Sequence, residues 1–204
     1  MKFSRVALAA ALLVALLAAC SEQSGEVTGE AYVARVAAQF LDRDTAARRK
    51  RAISEPSYRI DIDLGLAEDR FAGTVVAGFK YGGDGSPLTV DFANGDVKSV
   101  EINGAPVTFD YNGFFITLPA GSLKTGAQEL RIAYEHPYSQ DGAGLYRYVD
   151  QEDGRVYLYT DFEPYDANRL FPHFDQPDLK ARYTLSVQAP ANWQVVSTMR
   201  ETAT

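Results

Sequence analysis

Tyr58-Arg59-Ile60-Asp61-Ile62-Asp63-Leu64 places an apolar side chain at every second position and a charged one between. Successive side chains of an extended strand point to opposite faces, so Tyr58, Ile60, Ile62 and Leu64 face a core while Arg59, Asp61 and Asp63 face water. This pattern marks an antiparallel strand with one wet face. Outward from it, further strands are expected at 71–81, 88–92, 97–102, 114–118, 130–134, 156–161, 182–188 and 194–197. Gly82-Gly83-Asp84-Gly85-Ser86-Pro87, Asn94-Gly95-Asp96, Asn103-Gly104-Ala105-Pro106 and Asn112-Gly113 separate them and supply the positive φ of tight turns. Many short strands with almost no helix predict an all-β domain over residues 55–204, an antiparallel β-sandwich or pair of curved sheets.

Upstream of the sheet the patterning changes twice. Residues 30–51 carry Tyr32, Val33, Val36, Ala37, Phe40 and Leu41 at helical spacing, which predicts one amphipathic helix with Thr28 as N-cap. Its terminal Arg48-Arg49-Lys50-Arg51 fits a solvated cationic end that offsets the helix dipole. Residues 20–29 have the Ser, Glu, Gln and Gly composition of a flexible tether. Residues 1–19 combine Lys2 and Arg5 with an apolar run of Ala, Leu and Val, the layout of an export signal peptide. The run is too short to cross about 30 Å of hydrocarbon as a helix. It ends in Leu17-Ala18-Ala19-Cys20, which resembles the lipobox of bacterial lipoproteins and makes Cys20 the expected lipidation site and membrane anchor. A chain so processed is exported and anchored by lipid to the bacterial cell envelope.

Of 204 residues 46% are hydrophobic, enough for one ordinary domain, and the net charge of −7 argues against nucleic acid as a partner. One cysteine excludes a disulfide framework, and two histidines, 37 residues apart in sequence, leave little to build a metal site from. His136 and His173 are expected to be structural. Asp150, Glu152 and Asp153 around Gly154 fit a solvated turn better than a calcium loop.

Tyr157-Leu158-Tyr159-Thr160-Asp161-Phe162-Glu163-Pro164 carries the one arrangement with chemical potential. If the strand runs through it, Asp161 and Glu163 share a face and two carboxylates stand side by side, with Pro164 closing the ladder. Like charges so placed need a cation, either Arg169 as an in-chain partner or a bound ammonium or metal.

Gly144-Leu145-Tyr146-Arg147, Tyr159-Thr160-Asp161-Phe162-Glu163-Pro164 with Ala167 and Arg169, and Phe171-Pro172-His173-Phe174-Asp175-Gln176-Pro177 with Lys180-Ala181 together resemble the N-terminal domain of the aminopeptidase N family of zinc metallopeptidases. The resemblance implies that Glu163 holds the free α-ammonium of a peptide substrate. Asp161 stands where the family has glutamine, which shifts first-residue preference toward basic side chains. His173 and Gln176 stand in place of Cys and Glu as packing variants. It further implies zinc in the full-length enzyme, with every catalytic and metal-ligating residue in a C-terminal catalytic domain, none of them in this chain. The chain is then the anchor, tether and β domain of a peptidase, inactive alone. The alternative is an acidic β-sandwich lipoprotein that binds a ligand or partner.

Overall fold

The structure, a computed structural model, describes residues 32–38, 40–65 and 67–203. The leader, Cys20, the tether and Thr28 lie outside the described residues. The chain divides into two units, Met1–Val33 and Ala34–Thr204, and every helix and sheet named below belongs to the second.

Among the described residues eleven strands form three sheets. The largest is built from β1 (Ile53–Asp63), β2 (Arg70–Tyr81), β4 (Asp96–Ile102), β5 (Ala105–Pro106), β8 (Gly126–Pro137) and β11 (Arg182–Gln188), in the order β11-β1-β2-β8-β4-β5. β3 (Leu88–Asp91), β6 (Asp110–Tyr111) and β7 (Phe115–Leu118) make a three-stranded sheet, and β9 (Gly144–Val149) pairs with β10 (Val156–Asp161) as a two-stranded ribbon. The domain is all-β with curved sheets, as the alternation predicts.

The burial of β1 follows its sequence: Ile53, Tyr58, Ile60 and Ile62 are buried while Arg59 and Asp61 are exposed. Across the sheet Phe71, Val75, Ala77, Phe79, Leu130, Ile132 and Tyr134 meet the inward face, joined from the smaller sheet by Val90, Ile116 and Leu118. Each buried Val, Leu, Ile or Phe contributes roughly 1.5–3 kcal/mol relative to exposure. Asn103-Gly104 makes the two-residue turn between β4 and β5, with φ of 51° and 77°, which explains the Asn-Gly pair.

The structure departs from the sequence pattern at four places. β1 and β11 pair in parallel, from Ser57 opposite Arg182 to Asp63 opposite Gln188, so the large sheet is mixed rather than antiparallel throughout. The long stretch of chain between the two strands is ample for the crossover that a parallel pairing demands. Residues 194–197 form no strand. The ribbon strand β9 has exposures that do not alternate cleanly, so no period of two marks it in the sequence. The helix, α1, spans only Arg43–Ala52, is capped by Asp42 accepting from Thr45 N–H at 2.8 Å, and follows a non-helical stretch containing Val36 and Phe40. Those side chains are exposed, so their helical spacing buries nothing; the buried residues here are Arg35, Thr45 and Arg49.

Candidate functional site

The ribbon presents two different faces. Leu145 is buried and Leu158 partly so on the inner side, while Tyr146 pairs with Tyr159 at 4.9 Å and Tyr148 with Tyr157 at 6.5 Å on the other. Tyr159 is half exposed, and Asp161, two residues on, shares its face at the last position of β10, opposite Gly144.

Glu163 is not in the strand. β10 ends at Asp161, and the chain turns so that Asp161 Oδ1 accepts the Glu163 N–H at 3.2 Å. The peptide bond that follows, Glu163-Pro164, is cis. The Asp161 carboxylate therefore caps the turn that carries Glu163, and the two residues do not stand side by side on a pleat. Both are exposed, and neither makes an ion pair among the described residues. Arg169 is not their partner: its guanidinium binds Asp141 at 2.8 Å and approaches Asp166 at 3.5 Å. Asp166 immediately precedes the 3-10 turn Ala167–Arg169, which favours that pairing.

The segment after Glu163 is tied down strongly. Asp166 N–H donates to Phe162 O at 3.0 Å, and the buried Asn168 donates through Nδ2 to Tyr165 O at 3.1 Å and to Asp175 Oδ2 at 3.0 Å. Ala93 N–H donates to Asn168 O at 3.0 Å. Farther along, Asp91 and His173 form an antiparallel bridge, and Asp175 N–H donates to Asp91 Oδ2 at 2.8 Å. Burial pushes the Asp175 carboxyl up, but hydrogen bonds and contact with His173, and hydrogen bonds from Asn168, outweigh it and hold it below the ordinary carboxylate range.

Asp91 is fully buried and carries two arginines, Arg35 at 2.5 Å and Arg49 at 2.7 Å. Arg35 also lies over the Phe115 ring at 4.2 Å, and Arg49 donates to Gln176 Oε1 at 2.6 Å and Thr89 O at 3.1 Å. Gln176 in turn donates to Ala46 O at 3.2 Å, so it fastens α1 to the sheet. Arg49 thus departs from the solvated cationic end expected of the basic run. The sequence signal that could have found Asp91 is an acid within the predicted strand Leu88-Thr89-Val90-Asp91-Phe92, flanked by Val90 and Phe92; nothing in the sequence pairs it with Arg35.

The histidines are packed. His136 stacks on Phe71 at 5.6 Å with its ring nitrogens against Pro137 O and Ala93 O, and His173 stacks on Phe171 at 4.4 Å. The acidic turn is closed by its own backbone, with Asp150 Oδ1 accepting Glu152 N–H and Asp153 Oδ1 accepting Arg155 N–H. Among the described residues no group of three or more His, Cys, Asp or Glu could hold a metal ion. This donor set does not fit a zinc centre.

The fold defines the class, an all-β domain of curved sheets with a two-stranded ribbon. The profile described as the Peptidase M1 N-terminal domain matches residues 54–204, and the chain belongs to that family. It is 35% identical over 161 residues to aminopeptidase N of Streptomyces lividans, covering 77% of this chain and 19% of that protein. It is 33% identical over 112 residues to probable aminopeptidase 1 of Saccharolobus solfataricus, covering 55% and 14%. The matched part of the chain therefore spans 19% or less of the length of these curated relatives. Among solved structures, yeast LTA4 hydrolase in complex with bestatin superposes with a TM-score of 0.62 at 18% identity, over 76% of this chain and 26% of that one, a likeness of fold.

Proposed function

We propose that this chain is the substrate-N-terminus-binding part of a zinc-dependent aminopeptidase that removes N-terminal residues from peptides, lipid-anchored through Cys20 to the bacterial cell envelope. The observation that carries the peptide reading is the pair Asp161 and Glu163: exposed, held in one capped turn and without an ion-pair partner among the described residues. Two carboxylates so placed attract an ammonium group, and charge-assisted hydrogen bonds are about twice as strong as neutral ones. Glu163 receives the α-ammonium. Asp161, with the Tyr159 ring on its face, favours a cationic first side chain. Zinc and its ligands, and the groups that activate water, belong to the C-terminal part of such an enzyme, and residues 1–204 are inactive alone.

Two measurements test this. In the enzyme that contains the chain, peptides with a free α-amine should compete for hydrolysis while their N-acetylated counterparts do not; equal competition rules out ammonium recognition. For the anchor, Cys20→Ala should abolish membrane fractionation and metabolic lipid labelling. A wild type that takes up no labelled lipid contradicts it.

A further inference from the structure

The family profile begins at residue 54, yet Arg35 and Arg49, upstream of it, reach into the domain at its most buried ionic site among the described residues. Arg35 and Arg49 share the Asp91 carboxylate, and Asp91 holds the 173–175 segment by a backbone bridge and a side-chain hydrogen bond. Asp175 then holds Asn168, and Asn168 holds Tyr165, two residues from Glu163. A second route is direct: the Phe40 ring packs on Tyr165 with centroids 6.1 Å apart. Lys50 adds a bond to Asp178 O at 2.6 Å.

Stability alone is a poor explanation for this cluster. A buried ion pair often does no better than apolar residues of the same volume, and here Arg35 Nε, Arg35 Nη2 and Arg49 Nη2 are buried with no hydrogen-bond partner among the described residues. What the arrangement does supply is one fixed geometry. We propose that residues 35–50 form a buttress that positions the Glu163 turn, with Arg35 and Phe40 as positioning residues for the ammonium contact. The functional half of this rests on the assignment of Glu163 as the ammonium-binding group.

Phe40 is 64% exposed, so Phe40→Ala disturbs the turn without emptying the core. In the enzyme that contains the chain, Phe40→Ala should raise KM for a free-amine peptide about tenfold with kcat unchanged to within about twofold, as expected when binding common to ground and transition states is lost. Phe40→Tyr should restore it. Combined with Glu163→Ala, Phe40→Ala should add nothing, because it acts through that carboxylate. Amide hydrogen exchange over residues 162–169 should accelerate in Phe40→Ala and in Arg35→Met, and recover toward wild type in Arg35→Lys. Unchanged KM together with unchanged exchange in Phe40→Ala overturns the buttress, as does full additivity with Glu163→Ala. Should Glu163→Ala itself leave kcat/KM unchanged, the ammonium assignment fails, and the exchange rates alone then decide whether the segment holds the turn.

Discussion

The carboxylate of Asp161 accepts the backbone N–H of Glu163 at 3.2 Å, so the side chain of one acid shapes the turn that carries the other. Oδ1 caps the turn; under the proposed function the carboxylate has a second, separate duty, its charge setting the field in which a substrate side chain would sit.

Substitutions at Asp161 separate those duties. Asp161→Asn keeps an Oδ1 acceptor and removes the charge, so it should mainly shift preference from basic toward neutral first residues. Asp161→Ala removes the cap as well and should lose about 0.5–1.5 kcal/mol of turn stability. Comparing kcat/KM for Lys- and Ala-initiated substrates across the two variants checks this; equal loss for both substrates in Asp161→Asn argues against a charge effect.

Asp91→Ala strands two buried guanidinium groups. Breaking a buried pair by removing one partner costs about 3–5 kcal/mol. At the surface, Glu55→Gln removes the exposed Lys80 pair at 2.7 Å. That change should cost less than about 1 kcal/mol. Urea unfolding of both variants gives the comparison, and equal losses would contradict it.

How far the fold was legible depended on where burial and hydropathy agree. In β1 they agree, since alternate residues are apolar and alternate residues are buried, and the Asn103-Gly104 turn could be read from two residues. In residues 35–49 they disagree. The buried side chains are Arg35 and Arg49 and the exposed ones include Val36 and Phe40, so apolar spacing pointed to a helix where the chain is not helical. At the candidate site, Asp161 and Glu163 stand out by residue type, but a capped turn beyond the strand end leaves no periodicity to read. The Arg169 pairing went to Asp141, a loop acid that no spacing argument connects to it.

Tyr134 offers a test of core satisfaction. Its hydroxyl is buried, has no hydrogen-bond partner among the described residues, and has its ionisation pushed up by burial. Removing an unsatisfied hydroxyl while keeping the ring is neutral or stabilising, so Tyr134→Phe should leave Tm unchanged or raise it. A fall of several degrees would mean the hydroxyl is bonded.

His136 makes stability depend on pH in a defined window. Burial pushes its imidazole below the ordinary 6.5, outweighing the carbonyl contacts of Pro137 and Ala93 that favour the charged ring. The folded state thus binds its proton less readily than the unfolded chain. This contribution is complete above about pH 6.5 and is lost as pH falls through and below it. Tm measured between about pH 8 and pH 5 should drop more steeply for wild type than for His136→Gln, and parallel curves would contradict the assignment.

The most direct test is Glu163→Ala in the full-length enzyme, with Tm and kcat/KM measured on the same preparation. Truncating a charged contact in a desolvated cleft costs about 2–5 kcal/mol, which is roughly 30- to 4,000-fold in kcat/KM. Because Glu163 is exposed and makes no ion pair among the described residues, Tm should stay unchanged. A lowered Tm with unchanged kcat/KM would contradict the assignment of Glu163 as the group that holds the substrate's α-ammonium.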